Sequence, residues 1–597
     1  MKWVLPRSED QEFSESLAKD LGVPEAIAGL LIRRGYGEQE KAGRFLKPRL
    51  AELGDPFEIQ NMDRAVDCIL RAIEEAKSIV LYGDYDVDGV TAVAFLSRIL
   101  TALGAQVSSF VPTREGEGYG LSENGLRRCL ERKKVEVLIA VDCGTSNARE
   151  VSWLREGGME VVVLDHHESN SETPVCEAFI NPKVHGGPDY LCSVGLAFKL
   201  GHALMKRRRQ PDVDLKEYLD LVALGTLADL VPLIEENRIL VRRGLEQMGR
   251  TRWVGLSALM DVAGVSAPLG SGDVGYKLGP RVNAAGRLGS AEEALELLLT
   301  DDASRARELA QRLDAQNQER RTVEERVFAE AELQWGGLMQ EAGERPARGN
   351  AGGSEGDGRQ ALLGREGGGE APGRYTIVVG SEGWNPGVVG IAASRMMRKY
   401  HRPTVVVAFD AQGQGRGSGR SIPGLSLVEA LEGCKAHLLK FGGHEMAAGV
   451  SVEREAFEAF REAFESEARA RLNQSLLEPT LEIDAELLLR EVNTDLLDLY
   501  ERLSPFGMGN PNPVFLLRGV TPGEEPRWVK ERHLQLSLRQ GRVSGRAIWF
   551  NALQEPLPSP PWDIAFEVSR NEYRGVVSAQ ILVRALRATE PTPSRSF

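Results

Sequence analysis

No apolar run in the chain is long enough to cross a bilayer, so a helical membrane protein is excluded at the outset. The first residues, MKWVLPRSEDQEF, put no apolar stretch behind their lysine, and no secretory signal is expected. Cysteine is scarce: six among 597 residues, scattered, with no CxxC pair. That reads as reduced thiols in a cytoplasmic protein, not as a disulfide framework. Net positive charge is also missing. The chain carries a formal charge of -14, whereas proteins that coat DNA nonspecifically are basic. The total counts against a nucleic-acid partner, but it does not exclude a narrow basic channel, because clustered acids that hold metal ions dominate such a sum. There is no internal repeat. At 42% hydrophobic and 27% charged, the composition is that of a folded protein with several cores.

Periodicity divides the chain. Residues 1–76 read as an N-terminal helical segment, with apolar residues at three- and four-residue spacing in LAKDLGVPEAIAGLLIRRG and MDRAVDCILRAIEEA. From 77 to 237, β-rich runs (SIVLY, QVSSFVP, VEVLIAV, MEVVVLD) alternate with helical patterns, which predicts βαβ units and a parallel sheet. Residues 238–340 read as a helical connector. Residues 341–373 are Gly-rich with few large apolar residues and read as an insertion or linker. A smaller α/β unit is expected over 374–474. Short alternating runs over 478–590 predict an antiparallel β domain closed as a barrel. The expected fold class is thus multidomain α/β.

The stretch LYGDYDVDGVT places Asp84, Asp86 and Asp88 within five positions, directly after an apolar strand. Like charges this close repel unless a counter-charge neutralises them. Ligands in parallel α/β sheets bind beyond the carboxyl ends of the strands, and the other candidate acids fall there too. Asp142 follows VEVLIAV, Asp165, His166 and His167 follow MEVVVL, and Asp229 lies in TLADLVPL. Taken singly, an Asp-Gly after a strand is a helix cap. Four separated pieces of chain that bring carboxylates and a His-His pair to one rim are not explained by capping. Carboxylates with imidazole suit a pair of divalent cations, Mn2+ or Mg2+.

DYDVDG, VDCG, DHH and ADLVP, in this order, resemble the motifs of the DHH phosphoesterase superfamily. The ordered set GPRVNAAGR, NQERR, GWNPGVVGIAASR, GRGSGRS, FGGHEMAAG and PFGMGNPNPVF is similar to the RecJ family of bacterial single-strand-specific 5'→3' exonucleases, over most of the chain outside the Gly-rich stretch. The resemblance implies a DHH catalytic domain, a DHHA1 substrate-binding domain and an OB-like nucleic-acid-binding domain. The implied activity is two-metal hydrolysis of single-stranded DNA to 5'-mononucleotides in DNA repair and recombination. By position, Asp142 would be shared by both ions, Asp84 and Asp86 would complete one, and Asp88, His166 and Asp229 the other. His167 would donate toward the phosphate, and Asp165 would orient the histidines. Many superfamily members carry histidine where this chain has Tyr82, a role Asp84 would take over.

Arg114, Arg281, Ser418, Arg420 and His444 are the implied phosphate contacts. Arg416 lies in the same glycine run, and Asn385 stands where the family has histidine. In the β domain, Trp528, Arg532, Arg546 and Trp549 are candidate strand contacts, although aromatics in small β domains are more often core. The resemblance further implies a DNA strand with a 5' end as substrate, single-strand-binding protein and a helicase as partners, no membrane, and a monomer. Two other readings compete: a phosphodiesterase of short oligoribonucleotides or cyclic dinucleotides, and a non-enzymatic replication scaffold.

Overall fold

The computed structural model describes residues 1–6, 11–113, 117, 120–169, 172–288, 290–341, 373–552 and 556–590. Arg114 and nearly all of the Gly-rich stretch (342–372) lie outside the described residues. The chain divides into two compact units. One is Leu46–Arg320 with Leu503–Pro511; the other is Met1–Phe45, Arg321–Arg502 and Asn512–Phe597.

The first unit is built on a five-stranded parallel sheet in the order Gln106–Phe110, Ser78–Gly83, Val137–Val141, Glu160–Leu164, Ala178–Ile180. Its central strands are near-continuous Val, Ile and Leu because both faces are covered. Ile79, Leu81, Ile139, Val141, Val162 and Leu164 pack into one core. Their alternates Val80, Tyr82, Leu138, Ala140, Val161 and Val163 pack into the other, as the two-residue side-chain period of a strand requires. The helices Val87–Ala102, Ser193–Arg207 and Leu219–Ala228 are buried over most of their length. They pack tightly enough that several glycines have no room for a side chain.

The expected helical connector, 238–340, is not a separate element. Leu240, Leu256, Leu298, Leu309 and Leu313 belong to the same core as the sheet. The boundary between the units falls inside the helix Ala303–Glu341. Amphipathic helices that cover a sheet and those that link domains share one sequence pattern, so periodicity does not separate them. The N-terminal segment also differs from the reading as one helical block. Lys2–Val4 is a strand that pairs in parallel with Thr480–Glu482, and residues up to Phe45 group with the second unit.

In the second unit, five strands run in the order Lys440–Gly443, Ala447–Glu453, Gln414–Arg420, Thr404–Phe409, Ile377–Glu382. Only the pair Ile377–Glu382 and Thr404–Phe409 is parallel. The C-terminal β region is a seven-stranded sheet. A further pairing of Phe515–Pro522 with His533–Gln540 closes five of its strands into a ring.

Candidate metal centre

Register puts the acids together. Gly83 pairs with Val141, and Val141 pairs with Leu164. The next residue on each strand is Asp84, Asp142 and Asp165, so three carboxylates leave the sheet at one level. Asp142 takes φ +65, an uncommon conformation for a residue with a side chain, while its N–H still donates to Leu164 O at 3.0 Å. Asp86 caps the helix Val87–Ala102 by accepting from the Asp88 and Gly89 N–H groups. Gly89 is required for this turn: a Cβ there would lie 2.6 Å from Asp84 O. Asp88, in the first turn of that helix, accepts from Ser193 N at 2.7 Å and Val194 N at 2.8 Å. It thereby caps the helix Ser193–Arg207. Asp229 is the residue that ends the helix Leu219–Ala228.

The side chains converge. His166 Nε2 is 3.5 Å from Asp142 Oδ1, 3.5 Å from Asp229 Oδ2 and 3.8 Å from Asp88 Oδ2. Three groups of donor atoms lie within 4.8 Å of one another: Asp84, Asp86 and Asp142; Asp142, His166 and His167; and Asp88, Cys192 and Asp229. Asp142 belongs to two of them. Asp165 points elsewhere. Its Oδ1 accepts from His166 N, His167 N and the His167 ring Nδ1, the last at 2.7 Å, and its Oδ2 accepts from Thr145 N.

The electrostatics of this cluster call for a positive charge. Burial first, then neighbouring carboxylates, pushes Asp84 and Asp142 well above the ordinary carboxylate range. The same causes raise Asp88 to about 7 and Asp229 to about 8. Burial, and then the neighbouring His167, lowers His166 to about 3, leaving it a neutral imidazole with a lone pair to give. His167 goes the other way. Burial would lower it, but its bond to Asp165 raises it to about 9, so it stays a protonated donor. Asp84 Oδ1, both ring nitrogens of His166 and Asp229 Oδ2 are buried without a hydrogen-bond partner. Orphaned buried polar atoms carry a cost of about 1–3 kcal/mol each, more when charged. Hard divalent cations held by carboxylate oxygens and imidazole remove both penalties. The donors present fit Mn2+ or Mg2+.

Three participants escaped the sequence reading. Ser193 Oγ donates to Asp142 Oδ1 at 2.8 Å. Cys192 brings its thiol beside Asp88 and Asp229. Asn283, in GPRVNAAGR, accepts from Val87 N at 3.2 Å. Gly286 of the same motif packs so closely that a Cβ would meet Tyr85 O at 2.7 Å. That motif therefore buttresses the loop that carries Asp84 and Asp86. Tyr82 does not face the acids; it stacks on Phe110 and donates to Gly120 O at 3.3 Å.

The candidate phosphate contacts are distributed over both units. Arg281 belongs to the first, where its guanidinium is neutralised by Asp314 at 2.8 Å and donates to Lys277 O. Ser418 and Arg420 belong to the second and share one face of the strand Gln414–Arg420. Arg420 donates to Ser418 Oγ at 2.8 Å and to Gly419 O at 2.7 Å. Among the described residues it has no carboxylate partner, and burial followed by the nearby Arg398 lowers its pKa. Gly390, in the first turn of the helix Val389–Tyr400, lies against both side chains. An arginine with no carboxylate partner among the described residues, a hydroxyl and a helix N-terminus together make a cradle suited to an anion. His444 sits exposed in the turn after Lys440–Gly443. Asn385 caps its own turn by accepting from Gly387 N at 2.7 Å. In the β domain Trp528 is 41% exposed, whereas Trp549 is a core residue.

Fold and site together define a DHH-type phosphoesterase. The DHH family, N-terminal domain, matches residues 78–226, the DHHA1 domain residues 373–470, and the RecJ OB domain residues 483–585. The single-stranded-DNA-specific exonuclease RecJ of Bacillus subtilis is 35% identical, over 99% of this chain and 71% of its own. The crystal structure of Thermus thermophilus RecJ in complex with Mn2+ superposes with a TM-score of 0.79 at 31% identity, covering 99% of this chain and 80% of that one. The Mg2+ complex of the same protein gives 0.74 at 29%, covering 99% and 79%. The chain belongs to the RecJ family.

Proposed function

We infer that this chain is a single-stranded-DNA-specific exonuclease, a phosphodiesterase dependent on Mn2+ or Mg2+. The observation that carries the reading is the cluster of Asp84, Asp86, Asp88, Asp142, Asp229 and His166, where the raised carboxyls of Asp84, Asp88, Asp142 and Asp229 and the orphaned donors call for cations. We assign Asp84, Asp86 and Asp142 to one ion and Asp88, Asp142, His166 and Asp229 to a second. Bound divalent cations supply Lewis-acid neutralisation of the phosphate and a nucleophilic water near neutral pH. The protein's own groups do the rest. Asp165 fixes the ring of His167 and keeps it protonated, and this imidazolium donates to a non-bridging or leaving oxygen of the substrate. Ser193 and the N-terminus of the helix Ser193–Arg207 hold Asp142 and Asp88 in place.

Polarity comes from the anion cradle. Ser418 and Arg420 bind the terminal 5'-phosphate, His444 assists, and cleavage proceeds 5'→3' with release of 5'-mononucleotides. The C-terminal β domain guides the strand by charge and stacking, which favours a long polymer over oligoribonucleotides or cyclic dinucleotides. The reading includes a role in DNA repair and recombination, a monomer in the cytoplasm, and single-strand-binding protein and a helicase as partners.

The test is digestion of end-labelled single strands, with and without a 5'-phosphate, alongside duplex, in Mn2+, Mg2+ or chelator. The expected result is mononucleotide release from the 5' end of single strands only, abolished by chelator. Release from the 3' end would refute the polarity, and undiminished digestion in chelator would refute the metal mechanism.

A further inference from the structure

The Asp88 and Asp229 side of the centre contains a ligand that hard-metal chemistry does not need. Cys192 Sγ lies within 4.8 Å of a carboxylate oxygen of each. The thiol is fully buried, and its hydroxyl neighbour, Thr226 Oγ1, is 3.5 Å away. Independently, His166, with a side chain only 8% exposed, aims an unpartnered Nε2 at the same two carboxylates. A thiol and an imidazole therefore each approach the same two carboxylates. Sulfur and imidazole donors favour zinc or cadmium over manganese or magnesium. A tetrahedral ion with bonds of about 2.0–2.3 Å spaces its donors at roughly 3.5 Å; the His166 contacts of 3.5 and 3.8 Å match that spacing, and Cys192 Sγ is held within 4.8 Å of both carboxylates.

We propose that the ion position served by Asp88 and Asp229 doubles in this chain as a thiolate site. There Cys192 Sγ, Asp88, Asp229 and His166 capture a thiophilic divalent cation, Zn2+ or Cd2+, in place of Mn2+ or Mg2+. The inference rests on the metal-centre reading given above. As the metal–sulfur bond forms, the S–H proton leaves to solvent and no electron changes hands. The consequence is a nuclease poisoned by thiophilic ions at its own metal centre.

The experiment titrates the metal-free full chain with Cd2+ and follows thiolate-to-cadmium charge-transfer absorption. Wild type is expected to develop the band, to keep it in a Cys143→Ala background, and to lose it on competition with excess Mn2+. Cys192→Ser is expected to lack the band and to bind Cd2+ at least about tenfold more weakly, a cost of about 1.4 kcal/mol. It should still gain thermal stability from Mn2+. A wild-type chain that binds Mn2+ and Cd2+ without the band overturns the thiolate site and spares the metal centre, as does a band unchanged in Cys192→Ser. Binding of neither ion overturns both. Should Cys192→Ser fail to fold, X-ray absorption of the Cd2+-loaded wild type decides. A sulfur scatterer supports the site, and an oxygen and nitrogen shell alone refutes it.

Discussion

Replacing Asp142 by Asn separates what the acid cluster costs from what it is for. Asp142 is buried, and its carboxylate lies within 4.8 Å of those of Asp84 and Asp86. At an effective dielectric constant of about 20, a like-charge pair at that distance costs about 3.5 kcal/mol. Without metal, part of this cost is avoided by proton uptake, so neutralising Asp142 should recover on the order of 2–3 kcal/mol at pH 8. The amide keeps an Oδ1 for Ser193, and the Asp84 and Asp86 carboxylates within 4.8 Å are acceptors for its new N–H donors. A unit of this size shifts by about 2–4 °C per kcal/mol, and metal-free Asp142→Asn should melt about 5–10 °C above wild type. In Mn2+ the order reverses: wild type rises, while the variant barely responds and loses nuclease activity. Calorimetry in chelator and in Mn2+ reads all of this. A variant that melts below wild type in chelator at pH 8, or that gains as much from Mn2+, would refute the electrostatic argument.

Four further outcomes are expected. The folded carboxylates Asp88 and Asp229 titrate at about 7 and about 8 against an ordinary 3.8. The native state thus holds protons that the unfolded chain has released. That contribution is present at low pH and lost as pH rises through those values, so the metal-free melting temperature should fall between pH 5 and pH 8, and saturating Mn2+ should remove the slope. Gly286→Ala pushes a methyl against Tyr85 O and should destabilise the first unit by about 1–3 kcal/mol, measured by denaturant titration, with a matching loss of kcat. Arg420→Ala should raise KM for 5'-phosphorylated strands by roughly tenfold to a hundredfold, the value of a charge-assisted hydrogen bond, and leave strands lacking the phosphate nearly unchanged in a steady-state assay. Trp528→Ala should weaken binding of long strands by about 1–3 kcal/mol in anisotropy titrations, whereas Trp549→Ala should lower the melting temperature instead, because that ring is in the core.

Much of the centre was legible because parallel strands in register end at one level. Apolar runs followed at once by Asp84, Asp142 and Asp165 had to present those acids together. Their dual use was harder to read. Asp86 and Asp88 are helix caps and cluster members at once, so the capping and metal readings were never exclusive. Ser193 and Cys192 escaped notice because neither sits at a motif spacing; only the packing of the helix Ser193–Arg207 against the helix Val87–Ala102 brings them to Asp142 and Asp88. Arg281 was expected as a phosphate contact, but its partner Asp314 lies 33 residues on, at a distance no local pattern encodes. The strand Lys2–Val4 is three residues long and pairs with residue 480 onward. A segment that short has no period to detect.

The central claim is that one shared carboxylate joins two divalent cations. Electron paramagnetic resonance of the metal-free chain titrated with Mn2+ tests it most directly. The account predicts that the second equivalent produces an exchange-coupled pair, and that Asp142→Asn abolishes the coupling. A spectrum of isolated Mn2+ at every stoichiometry, in a chain that digests single strands normally, would contradict it.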